Sequence, residues 1–261
     1  MITVKNLYRT YTIKSGFLSR KKEIKSALTD VNFSIDSGEI FGLLGPNGAG
    51  KTTTMKIMTT LLLPTSGEVK IFGLDVTRYR KEIQNRINFI YGGERSLYWR
   101  LTAKENLMYF SDLYNVPLAS VGPRVDELLS LVGLSQYSHQ KVETFSKGMK
   151  QRLQIARALI NDPDIIFMDE PTIGLDPAAS NLLHEIILEL KSKGKTIVLT
   201  THYMKEAEQL CDRIAFIDKG KLLGVNTPQG HIQTACHLSN QQISDLEEVY
   251  LNYFGHQRSV G

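Results

Sequence analysis

Two cysteines, Cys211 and Cys236, are all the thiols in this chain of 261 residues, and they stand far apart without metal-ligand spacing. That excludes a disulfide-rich scaffold, and packing roles in a reducing compartment are expected for both. Long apolar runs are also missing. The longest, such as Ile40 to Leu44 and Ile165 to Met168, fall far short of the roughly twenty residues that span a bilayer. The chain is therefore not expected to cross a membrane by itself. Its opening residues, MITVKNLY, lack a basic segment followed by an apolar one, so no secretory signal is read and a cytoplasmic location is expected. Internal repeats, low-complexity tracts and collagenous or disordered composition are absent as well.

The little charge imbalance there is can be localised. The formal net charge is +4, and the twelve residues from Lys14 to Lys25 hold five basic side chains and one acidic one, so the remainder balances. Such a segment either lies against anionic lipid headgroups, where each basic side chain gains about 1 kcal/mol, or forms a solvated hairpin loop. No zinc spacing, RNP-like aromatic pattern or extended basic face accompanies it, so nucleic acid is not an expected partner.

At 42% hydrophobic residues the chain can bury one large α/β domain, or a core with a subdomain. Alternation predicts strands over Ile2 to Leu7, Asp30 to Ile35 and Glu68 to Phe72. From Leu101 to Ile160 the pattern turns helical, with helices over Ala103 to Tyr114, Arg124 to Val132 and Lys147 to Leu159. Strand signals return at Ile165 to Met168, Thr196 to Thr200 and Ile214 to Asp218, with an amphipathic helix over Ala178 to Lys191. Strand-helix-strand alternation predicts a mainly parallel sheet with crossovers. Near the end, Ser244 to Tyr253 reads as one amphipathic helix, with Ser244 and Glu247 as its capping box.

Gly45, Pro46, Asn47, Gly48, Ala49, Gly50, Lys51 and Thr52 spell G-x-x-x-x-G-K-T between the apolar strand Ile40 to Leu44 and a helix predicted over Lys51 to Leu62. That is the context in which a P-loop cradles polyphosphate. Backbone N–H groups of the glycine-rich turn and the helix N-terminus favour an anion. Lys51 can reach the β and γ phosphates, the Thr52 hydroxyl can ligate Mg2+, and Thr53 can support neighbouring phosphates. The strand Ile165 to Met168 runs into Asp169 and Glu170, and carboxyl ends of parallel strands face ligands. Asp169 is placed to hold the magnesium shell and Glu170 to act as general base on an attacking water. His202 follows the next strand and could contact the γ-phosphate.

In combination these residues resemble the nucleotide-binding ATPase subunits of ABC transporters, over about residues 1 to 225. Lys51 and Thr52 match Walker A, IIFMDE at Ile165 to Glu170 matches Walker B, and FSKGM at Phe145 to Met149 looks like the signature motif. Gly174, Leu175 and Asp176 match the D-loop, His202 the switch histidine, and Tyr11 the aromatic residue that stacks on adenine, with Tyr8 close by as the alternative. The resemblance implies an α/β fold with a P-loop NTPase (RecA-like) core and parallel sheet, an N-terminal antiparallel β subdomain and an inserted α-helical subdomain. The core would take residues 1–90 and 161–225, the helical subdomain 91–160, and a short C-terminal extension 226–261. Further implications are ATP and Mg2+ as cofactors, and dimerisation with an identical or second ABC ATPase. Ser146 and Gly148 would then bind the γ-phosphate held by the opposite subunit. An integral membrane permease is the implied partner, with this chain peripheral on the inner face of the membrane.

Two departures stand out. The signature has Phe145, Lys147 and Met149 where the family has Leu, Gly and Gln. At the Q-loop, Gly92 or Gly93 takes the place of the glutamine, and Glu94 is the candidate substitute at the metal, against a solvated acid or an ion pair with Arg95. Tyr98 and Trp99 either form a groove for the membrane partner or pack within the helical subdomain. The ISDLEEVYL-type end, GPNGAGKTTT and PTSGEV resemble ATPases of ABC-2 exporters, favouring export. The alternative is a soluble ABC-type ATPase acting on ribosomes or nucleic acid, which usually carries two cassettes or a long coiled coil; this chain has one cassette and no sustained heptads.

Overall fold

Strand β1 (Ile2–Lys14) buries Ile2, Val4 and Leu7, a spacing that the period of two cannot place on one face. A register shift between Val4 and Leu7 resolves it, with Asn6 at φ 45° as the extra residue. Its partner β2 (Lys22–Ile35) shifts at Asp30, φ 52°, so that Leu28 joins Val31, Phe33 and Ile35 in the core. The two irregularities are tied together: Asn6 Nδ2 donates to Asp30 Oδ1 at 2.9 Å, and the Asn6 N–H to Asn32 Oδ1 at 2.7 Å. Pairing runs from Ile2↔Ile35 to Lys14↔Lys22, well beyond the predicted strands. Alternation marks a strand only where one face is buried, and Tyr11, Thr12 and Ile24 are exposed.

The computed structural model describes residues 1–14, 22–91, 97–239 and 242–255. They form two compact units, Met1–Arg80 with Val198–Gly261, and Lys81–Ile197. In the first, β3 (Ile40–Leu44) is buried throughout and leads to α1 (Lys51–Met58). The helix stops short of the predicted Leu62 because Thr60 turns left-handed, φ 62°, and the N–H groups of Leu61 and Leu62 both return to the Lys56 carbonyl. Then β4 (Ser66–Ile71) and β5 (Leu74–Asp75) complete an antiparallel sheet of order β2-β1-β4-β5.

After α2 (Arg80–Gln84), the second unit pairs β6 (Ile87–Tyr91) in parallel with β7 (Ile165–Asp169), Ile87 opposite Ile165. Between them lie α3 (Ala103–Leu113), α4 (Leu118–Leu131) and α5 (Lys147–Ala158). A capping box of Thr102 and Glu105 starts α3, and its hydrogen bonds hold the Glu105 carboxyl below the usual range. Helix α4 begins six residues before the predicted Arg124 and contains Pro123. Gly122-Pro123 reads as a breaker, yet the buried stripe Val121, Val125, Leu128 and Leu129 outweighs the missing backbone bond. Next, α6 (Pro177–Ser192) buries Leu183, Ile186, Ile187 and Leu190 at helical spacing.

Strand β8 (Thr196–Thr201) carries the chain back to the first unit, followed by α7 (Met204–Leu210), β9 (Arg213–Asp218) and β10 (Lys221–Asn226). The order there is β10-β9-β3-β8, with β3 and β9 parallel and β10 antiparallel to β9. The predicted parallel pairings are thus joined by one antiparallel edge.

Two helices close the chain, α8 (Pro228–Ser239), which the sequence did not predict, and α9 (Leu246–Gly255). The Ser244–Glu247 capping box does not form. Instead Asp245 Oδ1 accepts the Glu248 N–H at 2.9 Å and Glu248 Oε2 accepts the Ser244 N–H at 2.7 Å, a shift that turns Leu246 and Val249 fully inward. His231 of α8 is buried with Nε2 2.8 Å from the Ile214 carbonyl and its ring edge-on to Phe216, and burial pushes its pKa down. Both cysteines are free thiols. Cys211 is buried, and Cys236 Sγ accepts the Ile243 N–H at 3.2 Å.

Candidate functional site

The P-loop is built by β3 and locked by its parallel neighbour. The carbonyl of Ile217 on β9 comes so close to Gly45 that any Cβ there would collide with it, so only glycine lets the turn begin. The Gly220 N–H, in the turn after β9, donates to the Ala49 carbonyl at 2.8 Å. Gly50 caps α1, whose first turn carries no acid, so the positive end of the helix is left for an anion. Lys51 is only 6% exposed, and its Nζ donates to the carbonyls of Gly45 at 2.5 Å and Pro46 at 3.1 Å. The ammonium is therefore already held inside the loop it serves. The three threonines divide by position: Thr52 is exposed, Thr53 half-buried, and Thr54 buried with its hydroxyl on the Gly50 carbonyl at 3.0 Å.

In the second unit β7 is buried from Ile165 to Met168 and surfaces at Asp169 and Glu170, both half-buried. Glu170 takes φ 50°, a conformation that costs a side chain-bearing residue on the order of 1–3 kcal/mol. Such strain is concentrated at functional sites. The turn beyond it is closed by Ile173 N–H to Glu170 O at 3.2 Å and Leu175 N–H to Thr172 O at 3.0 Å. Asp176 then caps α6, its Oδ1 accepting the Ala179 N–H at 2.9 Å. Ser146 caps α5 in the same way, accepting the Met149 N–H at 3.2 Å, and its side chain is exposed. Gly148 faces α6, where a Cβ would come within 2.9 Å of the Ala179 Cβ.

Among the remaining sequence candidates, His202 is exposed between β8 and α7, with its ring 4.1 Å from that of Tyr203. Tyr11 is exposed beneath the Arg9 guanidinium, 4.6 Å from its ring centre, whereas Tyr8 is half-buried. Glu94, Gly92 and Gly93, and residues 15–21 of the basic segment, lie outside the described residues. Tyr98 and Trp99 pack within the second unit, the second of the two predicted alternatives, while staying partly exposed. Each ring is about half-exposed, at 48% and 49%, yet Tyr98 packs edge-on to Tyr109 at 4.8 Å and Trp99 lies under Lys150 Nζ at 4.8 Å.

Three features escaped the sequence. A cavity of about 470 Å³ beside His202 is lined also by Tyr203, Lys205, Glu247, Tyr250 and Leu251, joining α9 to the histidine. The Leu246, Val249, Tyr253 spacing signals a buried helix face, though not what it packs on. Lys147 Nζ lies over Gly174, and the Lys51 ammonium rests on the loop's own carbonyls. Among the described residues no group of three or more His, Cys, Asp or Glu is arranged to hold a metal.

Comparison with known proteins agrees with this geometry. The ABC transporter family profile matches residues 28–173, more than half of the chain. The ABC transporter ATP-binding protein NatA of Bacillus subtilis (strain 168) is 44% identical over 214 residues, which is 82% of this chain and 87% of NatA. A fluoroquinolones export ATP-binding protein of Mycobacterium tuberculosis (strain CDC 1551 / Oshkosh) is 41% identical over 209 residues, covering 79% of this chain and 67% of that protein. An ATP-binding cassette solved as a dimer in a post-hydrolysis state with ADP and Pi superposes with a TM-score of 0.75 at 31% identity, covering 87% of this chain and 98% of that one. The chain thus belongs to the ABC transporter family, as an ATP-binding subunit with ATPase activity.

Proposed function

We propose that the chain dimerises around two MgATP, hydrolyses them, and thereby drives a separate membrane-spanning subunit in export. The observation that carries this is the likeness, over 87% of the chain, to a cassette solved as a dimer with ADP and Pi. On closure, Lys51 exchanges the Gly45 and Pro46 carbonyls for phosphate oxygens, and Gly45 to Thr53 cradle the polyphosphate while Tyr11 stacks on the base. Thr52, Asp169 and Glu94 are the residues the family resemblance offers to Mg2+, each with the hard oxygen donor that this ion takes together with substrate phosphates. Bound there, the ion would neutralise phosphate charge. Glu170 accepts the proton of the attacking water and His202 donates to the γ-phosphate. Ser146, Gly148 and Asp176 serve the nucleotide on the partner protomer.

Bound ATP favours the closed dimer and its hydrolysis removes that preference, which is what a ligand-driven switch requires. No helix among the described residues is long and apolar enough to cross a membrane, and in this reading a second chain supplies the span. The half-exposed Tyr98 and Trp99 suit such a contact, with this chain peripheral on the inner membrane face. The export name of the mycobacterial relative supports the direction. Sedimentation of Glu170→Gln with MgATP is the test: a stable dimer without turnover is expected, and a monomer, or an active variant, refutes the proposal.

A further inference from the structure

His202 and Tyr203 form the two-residue link between β8 and α7, and the two sides of that link are held differently. On the β8 side Thr201 is buried, and its Oγ1 accepts the Tyr203 N–H at 3.0 Å. On the other side α7 has only seven residues and no side-chain cap at Tyr203. A helix that short does not hold itself in water, so its place is set by what packs on it. Its Met204, Ala207 and Leu210 are buried, and α9 packs against it. Helix α9 has anchors of its own. Leu246 and Val249 are fully buried, Asp245 caps the first turn, and Tyr253 stands edge-on to Phe216 of β9 at 5.4 Å and to His231 of α8 at 6.2 Å. Tyr203 and Lys205 share the cavity of about 470 Å³ beside His202 with Tyr250 of α9, which is half-buried, whereas Glu247 and Leu251 there are exposed. A void offers no packing contacts, so the side chains at its edge decide how far the link can move.

We propose that α9 positions His202, with Tyr250 as the positioning residue. Resting on the reading that His202 donates to the γ-phosphate, α9 fixes α7, and Tyr250 limits the cavity into which the link could give way. The imidazole, its ring 4.1 Å from that of Tyr203, is thereby kept where the γ-phosphate arrives. A donor held in place beforehand costs no reorganisation during reaction, and a misplacement of about 1 Å can cost roughly a hundredfold in rate. Hydrolysis depends on α9, and nucleotide binding does not.

The test follows ATP hydrolysis by the full chain. Tyr250→Ala is expected to lower kcat about tenfold, part of the range for a misplaced group. KM for ATP and the Kd for fluorescent ADP should stay within about twofold, since ADP has no γ-phosphate for His202 to meet. Tyr250→Phe keeps the ring and should stay within about twofold of the parent throughout. Because Tyr250 acts through His202, adding Tyr250→Ala to His202→Ala should cost nothing further. An unchanged kcat in Tyr250→Ala overturns this inference alone, as does a Tyr250→Phe variant equally slow, or a tenfold fall that persists in the His202→Ala background. A parallel loss of ADP binding overturns it too, because Tyr250 would then be a general support of the first unit. If His202→Ala hydrolyses ATP like the parent, the reading of His202 fails and this inference with it.

Discussion

Replacing Asn106 by alanine should loosen the aromatic surface at Tyr98 and Trp99 without touching the phosphate cradle. Asn106 is fully buried in the first turn of α3. Its Oδ1 accepts the Tyr98 N–H at 2.8 Å, and its Nδ2 donates to the carbonyls of Tyr98 and Thr102, each at 2.9 Å. One amide thus fastens the segment that carries both rings. Three hydrogen bonds at about 0.5–1.5 kcal/mol each give a loss of about 1.5–4.5 kcal/mol, and Tyr98 backbone groups left without partners push the value toward the upper half. A loss of about 3 kcal/mol corresponds to a fall in Tm of roughly 6–12 °C. Urea unfolding followed by fluorescence reads it directly, because Trp99 is the chain's one tryptophan. Fluorescent ADP should bind as before, since Asn106 belongs to the second unit and the P-loop to the first. A loss below about 1 kcal/mol, or a parallel loss of ADP binding, refutes the reasoning.

Gly45→Ala drives a methyl into the Ile217 carbonyl, so the Kd for a fluorescent ATP analogue should rise at least about tenfold, as for a misplaced cradle; an unchanged Kd would contradict the account of the turn. Asp176→Ala removes the cap of α6 and should cost about 1 kcal/mol in thermal melts, while Asp176→Asn stays within about 0.5. Burial lowers the His231 pKa from 6.5, so its stabilising contribution is complete above that unfolded value. It is lost as pH falls toward the folded pKa, by about 1.4 kcal/mol per unit in that window. Urea melts from pH 8 to 5 should show this acid loss, and His231→Phe should flatten it.

The phosphate cradle and the Asp169–Glu170 pair were legible because their chemistry is contiguous: glycines, a lysine and a threonine in one turn, and two acids ending an apolar strand. Ser146 and Asp176 entered through the family resemblance alone, and their capping of α5 and α6 was not read from the sequence. Other features depend on partners distant in sequence. The need for glycine at position 45 comes from Ile217, and the constraint between Lys147 and Gly174 exists only after folding. The outer part of the hairpin went unread because exposed residues such as Tyr11, Thr12 and Ile24 leave no buried face for alternation to mark. Pro123 disguised the start of α4, and α8 went unread because its anchor is a histidine, buried between Phe216 and Tyr253, rather than an apolar stripe.

The central claim is that each ATP site is completed by two copies of the chain. Specific ATPase activity measured against protein concentration tests it most directly. Shared sites require activity per chain to rise with concentration and level off once dimers predominate, whereas constant activity per chain while sedimentation shows only monomers would contradict the account.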